Sequence, residues 1–146
     1  MSKYRNFELS EFLKSDRAKA AGIDNTPTFE VVDNLNDLVA NLLEPLRAAV
    51  GKPIVISSGY RCARLNQLVG GSSTSAHLLG YAADTTCPYM TFSRYRDFVI
   101  EWAKRTNAKF DQIIVEHERS TGKEWVHIAI YNRQKQQRGQ ILTMTV

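Results

Sequence analysis

The sequence is poor in cysteine and has no long apolar run, no internal repeat and no low-complexity segment. Its two cysteines, Cys62 and Cys87, are too few for a disulfide framework and are not spaced as a metal-binding pair, so we expect free thiols. No apolar run approaches the roughly 20 residues that a membrane-spanning helix needs. The N-terminal residues lack the apolar core of a signal peptide. These features exclude disulfide-stabilised secreted scaffolds and proteins with membrane-spanning helices, and we expect cytoplasmic synthesis without a leader.

The composition is that of a soluble globular protein with a slight basic excess. Of the 146 residues, 43% are hydrophobic and 23% are charged, with a net charge of +4 and a pI near 9.2. This length predicts a single domain over residues 1–146, which we expect to be a monomer. The positive charge favours anionic partners such as nucleic acid or bacterial cell wall. The basic residues are scattered and form no nucleic-acid recognition motif, so we expect no nucleic-acid partner.

The first half of the chain has a helical pattern. Ser10 is a candidate N-cap for a short helix that Gly22 would end, and Thr26-Pro27 has the pattern of a cap followed by proline at the first helical position. Apolar residues then recur at helical spacing over residues 31–46. Pro45 falls inside this pattern and predicts a kink or interruption just before it.

The second half changes to strand-like periodicity. A helix is predicted over residues 91–106, and strands over residues 53–56, 81–87, 110–116, 125–131 and 140–146. Residues 53–56 have the composition of a buried strand. Helices followed by adjacent strands predict an α+β fold with helices packed on a mainly antiparallel sheet.

Two ionisable residues lie in and beside one of the apolar runs. His77 belongs to a loop of small residues, and Asp84 follows seven positions later inside a predicted buried strand. Burial of a neutral polar group without a hydrogen bond costs about 2–7 kcal/mol. Burial of an unpaired carboxylate costs more. A compensating partner is therefore required near Asp84.

A third candidate ligand lies on the strand E-W-V-H-I-A-I-Y. Alternation places Val126 on the core face and puts Trp125 and His127 together on the other face. Glu124 lies three positions before His127, so on a regular strand the two side chains point to opposite faces. A shared site for both residues therefore requires that Glu124 lie in the entering turn or at a bulge.

His77, Asp84 and His127 together offer two imidazoles and one carboxylate. Three such ligands with a fourth position open to water are typical of catalytic zinc. A metal would compensate the burial of Asp84, and Glu124 could carry the proton of an activated water. The spacing by itself is not diagnostic of a metal site. An alternative therefore stays open, in which both histidines only make hydrogen bonds.

With these residues assembled, the sequence resembles the zinc D-alanyl-D-alanine peptidase superfamily, peptidase family M15, whose fold is shared with the Hedgehog signalling domain. Three stretches carry the resemblance, which covers roughly residues 5 to 131. S-A-H-L-L-G-Y-A-A-D, residues 75–84, fits the pattern S-x-H-x-x-G-x-A-x-D. E-W-V-H, residues 124–127, fits E-x-x-H, and S-S-G-Y-R, residues 57–61, fits the S-G-Y-R segment before the first ligand.

The resemblance implies roles for individual residues. It implies a Hedgehog/DD-peptidase-like fold with His77, Asp84 and His127 as ligands of one Zn²⁺ per chain. Glu124 would be the general base and acid, and Arg61 would stabilise the oxyanion. The alternative for Arg61 is a structural salt bridge.

Two further residues are expected at the substrate groove. Ser75 would contact substrate or make a local loop hydrogen bond, and we expect Trp125 to form a wall of the groove. His117 is expected to be exposed to solvent and not a ligand. Gly70-Gly71-Ser72-Ser73 is expected to be a mobile loop at the rim.

The function implied is hydrolysis of an amide bond in the peptide stem of bacterial peptidoglycan, as a D-Ala-D-Ala carboxypeptidase or an L-Ala-D-Glu type endopeptidase. The chain resembles compact phage and bacterial members, which implies an endolysin-like enzyme that acts at the cell wall after release. It departs from the Trp-Trp-His of many relatives, since Val126 precedes His127. The alternative is a zinc-stabilised binding module of the same fold that does not catalyse.

Overall fold

The computed structural model describes residues 4–146 as five helices and a five-stranded sheet, with short 3₁₀ and π segments between them. The predicted α+β class is confirmed. The helices are α1 (Asp16–Ala21), α2 (Phe29–Leu38), α3 (Glu44–Val50), α4 (Ala63–Leu68) and α5 (Phe92–Arg105). The strands are β1 (Val55–Ser58), β2 (Ala82–Thr86), β3 (Gln112–His117), β4 (Glu124–Ala129) and β5 (Gln140–Thr145).

The N-terminal helices begin later than the sequence predicts. Ser15, and not Ser10, caps α1, because the Ser15 hydroxyl accepts a hydrogen bond from the Ala18 amide at 3.1 Å. The preceding residues, Leu9–Phe12, form a separate 3₁₀ turn. Gly22 ends α1 as predicted, in the left-handed conformation with a φ of 67°.

The start of α2 also differs by two residues from the prediction. Thr28 is its N-cap and accepts from the Val31 amide at 3.2 Å, so that Pro27 precedes the cap and does not occupy the first helical position. The predicted interruption before Pro45 is confirmed. A π-helical turn at Val39–Leu43 separates α2 from α3, and Pro45 lies in the first turn of α3.

The sheet has the strand order β1-β2-β4-β3-β5. Three of its four pairings are antiparallel, and β5 pairs with β3 in parallel. The prediction of a buried first strand is wrong, because β1 forms an edge of the sheet and Val55 is 44% exposed. An edge strand has neighbours on one side only, which its apolar composition does not reveal.

The two faces of the sheet have different environments. Val126 and Ile128 of β4 are buried on the face that packs against α5, beside Tyr95. The hydroxyl of Tyr95 bonds the Thr85 hydroxyl of β2 at 2.6 Å, which ties the helix to the sheet. The residues that alternate with these, including Asp84 and His127, therefore project from the opposite face. Within residues 4–146, no helix has the length and apolar character needed to cross a membrane.

Candidate metal centre

Strand pairing brings two of the predicted ligands together. Asp84 of β2 and His127 of β4 are directly opposite each other in the antiparallel ladder, so their side chains share one face. His77 reaches the same point from the 3₁₀ turn Ala76–Leu79, which precedes β2. Gly80 ends this turn with a φ of 76°, and a Cβ there would lie 2.9 Å from the carbonyl oxygen of Val31. Only glycine allows so close an approach of the turn to α2.

The three side chains form a compact buried cluster. Asp84 Oδ1 lies 3.2 Å from His77 Nε2 and 3.0 Å from His127 Nδ1. One ligand atom from each residue lies within 4.8 Å of the other two. The exposed fractions are 2% for His77 and 8% each for Asp84 and His127. The structure therefore assembles the three residues that the sequence analysis selected as ligands.

Hydrogen bonding determines which nitrogen of His77 faces the cluster. His77 Nδ1 lies 2.6 Å from the carbonyl oxygen of Gly59, so this nitrogen carries a proton and donates it. Burial lowers the pKa of His77, which keeps the ring neutral and leaves a lone pair on Nε2. That lone pair is directed at a carboxylate oxygen of Asp84.

The surroundings of Asp84 favour its ionised form. Burial by itself would raise the pKa of Asp84, but the two adjoining imidazoles outweigh burial and hold this pKa below its ordinary value. That effect requires a positive charge beside Asp84, whereas with the proton of neutral His77 on Nδ1 the Nε2 and Oδ1 atoms are two electron-pair donors 3.2 Å apart. A cation bound between them would remove this repulsion, and two imidazoles with one carboxylate suit Zn²⁺. The residues present therefore fit the predicted metal.

The cluster opens into a cleft of about 700 Å³. Glu116 of β3 lies in this cleft, and its Oε1 is 3.9 Å from His127 Nδ1. The same oxygen accepts a hydrogen bond from the indole nitrogen of Trp125 at 2.8 Å. Burial, reinforced by the charge of Asp84, raises the pKa of Glu116 above its ordinary value. A carboxylate with a raised pKa beside a metal site suits a proton carrier near neutral pH.

Glu124 is not in the cleft. It lies on the opposite face of β4 from His127, as the alternation of the strand requires, and its carboxylate is 3.7 Å from His117 Nδ1. The pairing of β3 with β4 is in register from Gln112 to His117, so the bulge that a catalytic Glu124 requires does not occur there. The structure therefore does not bring Glu124 to the cluster, and the glutamate that lies beside the cluster is Glu116. His117 is only half-exposed because it packs beside Glu124.

Arg61 lies half-buried at the wall of the cleft. Its backbone amide donates to the carbonyl oxygen of His77 at 3.1 Å, which fixes its position relative to the cluster. Burial lowers the pKa of its guanidinium, and the charges of Asp84 and Glu116 oppose that shift. Among residues 4–146, the Nε atom of Arg61 has no hydrogen-bond partner, and none of the ion pairs includes Arg61. Within the described residues the salt bridge considered for Arg61 is thus not present, and Arg61 lines the cleft.

Ser75 and Trp125 both line the cleft. The Ser75 hydroxyl accepts from the His77 amide at 3.1 Å, so the local loop hydrogen bond considered for Ser75 is present. Trp125 has a second contribution that the sequence did not suggest, since its indole orients Glu116. Gly70, Gly71 and Ser72 lie at the rim, as expected for the glycine-serine loop.

Glu116 is the site residue that the sequence analysis missed. Its signal was available in F-D-Q-I-I-V-E, because alternation from Gln112 through Ile114 places Glu116 on the same face as both. The sequence does not show whether this is the face that carries the cluster. The pairing of Ile114 with His127 decides that, and it joins two separate strands of the chain.

Comparison with known proteins agrees with this geometry. A stretch of 43 residues, 29% of this chain, is 46% identical to a zinc D-Ala-D-Ala carboxypeptidase of Streptomyces albus G. The matched stretch spans only 17% of that relative's length. Residues 5–129 match the family described as peptidase M15, and this range contains the three clustered ligands and Glu116. The chain therefore belongs to the peptidase M15 family.

Proposed function

We propose that this protein is a zinc metallopeptidase that hydrolyses an amide bond in the peptide stem of bacterial peptidoglycan. The observation that carries the proposal is the buried cluster of His77, Asp84 and His127, open to a cleft that also contains Glu116 and Arg61. Membership of a peptidase family supports the reaction type. The substrate class follows from the name of the S. albus relative.

His77 through Nε2, His127 through Nδ1 and Asp84 through a carboxylate oxygen would hold one Zn²⁺ per chain. When bound, zinc supplies a Lewis acid and lowers the pKa of a water towards about 7. The Gly59 carbonyl accepts the proton on the remote nitrogen of His77, which keeps Nε2 available as a ligand.

Glu116 accepts the proton of the attacking water and returns it to the leaving amine. Its carboxylate is held at one oxygen by Trp125, which leaves the second oxygen free for this transfer. Arg61 stabilises the negative charge that develops on the carbonyl oxygen of the scissile amide, or holds a substrate carboxylate beside it. A charged donor in a partly desolvated cleft is effective because water screens it little.

The biological setting belongs to the same proposal. We propose that the protein acts as a monomer on cell-wall peptides after release from the cytoplasm, in a phage or bacterial context, and that nucleic acid is not a partner. The net charge of +4 would favour approach to an anionic wall.

The test is digestion of purified peptidoglycan stem peptides with and without a chelator, read by mass spectrometry. Loss of one terminal alanine would identify a carboxypeptidase, and internal fragments would identify an endopeptidase and its bond. A His77→Ala variant provides the matched control, because it removes a ligand and leaves the cleft wall in place. No cleavage by protein that contains stoichiometric zinc would refute the proposal and favour the zinc-stabilised binding module.

A further inference from the structure

The segment that carries Arg61 belongs to no helix or strand. Residues 59–62 connect β1 with α4. Backbone amides and carbonyls outside regular structure need other hydrogen-bond partners, and here these come from distant parts of the chain. The Arg61 amide donates to the His77 carbonyl at 3.1 Å, and the Tyr60 amide donates to the Phe12 carbonyl at 2.7 Å. The position of the Arg61 backbone is therefore set by groups that lie far from it in sequence.

The side chain of Asn25 bonds the backbone on both sides of Arg61. Its Oδ1 accepts from the Cys62 amide at 2.8 Å, and its Nδ2 donates to the Tyr60 carbonyl at 3.0 Å. The same Nδ2 donates to the Leu13 carbonyl at 3.1 Å. One side-chain amide thus uses its acceptor and both of its donors to tie the Arg61 segment to the N-terminal part of the chain. Among the described residues, those that line the cleft include Arg61 but not Asn25.

Asn25 is itself held by the turn between α1 and α2. The Asp24 carboxylate accepts from the Thr26 amide at 3.0 Å and from the Thr26 hydroxyl at 2.6 Å. Asn25 lies between these two residues, so the turn holds the backbone from which its side chain projects. The N-terminal segment also approaches the Arg61 segment closely, since a Cβ at Gly59 would lie 2.5 Å from the Phe12 carbonyl oxygen. The bridge made by Asn25 therefore has a rigid base.

The side chain of Arg61 depends on this support of its backbone. Within residues 4–146 its Nε atom has no hydrogen-bond partner, and none of the ion pairs includes Arg61. No carboxylate therefore holds the guanidinium from its far end. A group that stabilises a transition state must be held within about 0.5 Å of its productive position. For Arg61 this precision has to come from the backbone end of the side chain.

We infer that Asn25 is a positioning residue for Arg61: its amide bridge between Tyr60 and Cys62 sets where the guanidinium meets the reacting amide. This inference rests on the proposed function, in which Arg61 stabilises the developing oxyanion. Asn25 does not touch substrate and acts through the backbone of Arg61. Misplacement of a reacting group by about 1 Å can cost about 10²-fold in rate. Loss of the bridge should therefore slow the reaction while zinc is retained.

The test is a double-mutant cycle between Asn25→Ala and Arg61→Ala, with kcat/KM measured on a synthetic stem pentapeptide that contains both candidate bonds. We expect Arg61→Ala to lower kcat/KM by about 10², and Asn25→Ala to lower it by about tenfold. Added to Arg61→Ala, Asn25→Ala should cause no further loss of kcat/KM, because the group that it positions is gone. The decrease in Tm caused by Asn25→Ala should be the same with and without Arg61.

Asn25→Asp is the second variant, for use where Asn25→Ala does not fold. It keeps the acceptor for the Cys62 amide and loses the donors to the two carbonyls, so its loss of kcat/KM should also disappear without Arg61. Asn6→Ala is the matched control and should leave kcat/KM unchanged. The Asn6 Nδ2 also ties the N-terminal segment to the helices, but it donates to Glu44 of α3 at 2.8 Å and not to residues 59–62.

Three results would overturn the inference alone. The first is an unchanged kcat/KM in the Asn25 variants, and the second is an equal fold loss from them in the presence and absence of Arg61. The third is loss of zinc from these variants, which would place their effect at His77. Failure of the zinc-loaded parent protein to cleave the pentapeptide would overturn the proposed function as well.

Discussion

Replacement of Glu116 by glutamine distinguishes the two candidate bases of this protein. Glutamine keeps the shape of the side chain and an oxygen that can accept from the Trp125 indole N–H, whose nitrogen lies 2.8 Å from Glu116 Oε1. It removes the negative charge and with it the ability to take up a proton. The matched variant is Glu124→Gln, which changes the same chemical group on the opposite face of β4, outside the cleft.

The expected effects differ by orders of magnitude. Loss of a general base typically reduces turnover by about 10² to 10⁴, so we expect Glu116→Gln to lower kcat by that factor. This corresponds to about 3–5 kcal/mol of transition-state stabilisation. Glu124 is 42% exposed, and within residues 4–146 its one ion-pair partner is half-exposed His117 at 3.7 Å. Its replacement should change kcat by less than about threefold, because exposed pairs contribute about 0–1 kcal/mol.

The assay is the rate of stem-peptide cleavage at saturating substrate, with zinc content and Tm measured on each variant. Both variants should retain zinc and fold like the parent protein, since neither residue is one of the clustered ligands. A large loss in Glu124→Gln together with full activity in Glu116→Gln would refute the assignment. It would favour Glu124 as the base.

Three further predictions concern the metal, the pH dependence and the rim of the cleft. His77→Ala should abolish stoichiometric zinc binding, measured by elemental analysis, and should remove the rise in Tm that zinc gives the parent protein. In the parent protein freed of metal by a chelator, burial lowers the pKa of His77 in the folded state below its ordinary value of 6.5. The unfolded state keeps the ordinary pKa and therefore binds a proton more readily than the folded state. Its Tm, followed by circular dichroism, should therefore fall as the pH drops through 6.5 towards 5, and a constant Tm over that range would contradict this reasoning. In Gly71→Ala, the new Cβ would lie 2.1 Å from Asn66 Oδ1 and 3.2 Å from Arg61 Nη1, so the Asn66 amide must shift and the neighbouring guanidinium must give slightly. We expect kcat/KM to fall about tenfold with zinc retained, whereas Ser73→Ala, at an exposed neighbour, should leave kcat/KM unchanged.

Several features of the fold and site follow from local sequence. Period-two alternation on β4 assigns Val126 to the core and His127 to the opposite face, and the structure confirms both. The same rule requires that Glu124 and His127 diverge on a regular strand, which is what the structure shows. Pro45 and Gly22 mark a helix interruption and a helix end, because their backbone constraints do not depend on distant contacts.

Local signals fail where several residues of similar chemistry compete. Ser10 and Ser15 are both suitable N-caps, and only the packing of the N-terminal segment determines that Ser15 is used. The apolar run before Ser57 resembles a buried strand, yet its position at the edge of the sheet exposes Val55. Propensity cannot show how many neighbours a strand will have.

The sequence by itself determined the chemistry of this protein: two imidazoles, a carboxylate and a guanidinium within motifs that belong to one peptidase family. The tertiary structure decided which glutamate joins them. Glu116 enters the site because the in-register pairing of β3 with β4 places it beside Trp125, on the face of His127. Such cross-strand neighbours are set by pairing register and not by sequence separation, so a residue eleven positions from His127 lies in the site while Glu124, three positions away, does not.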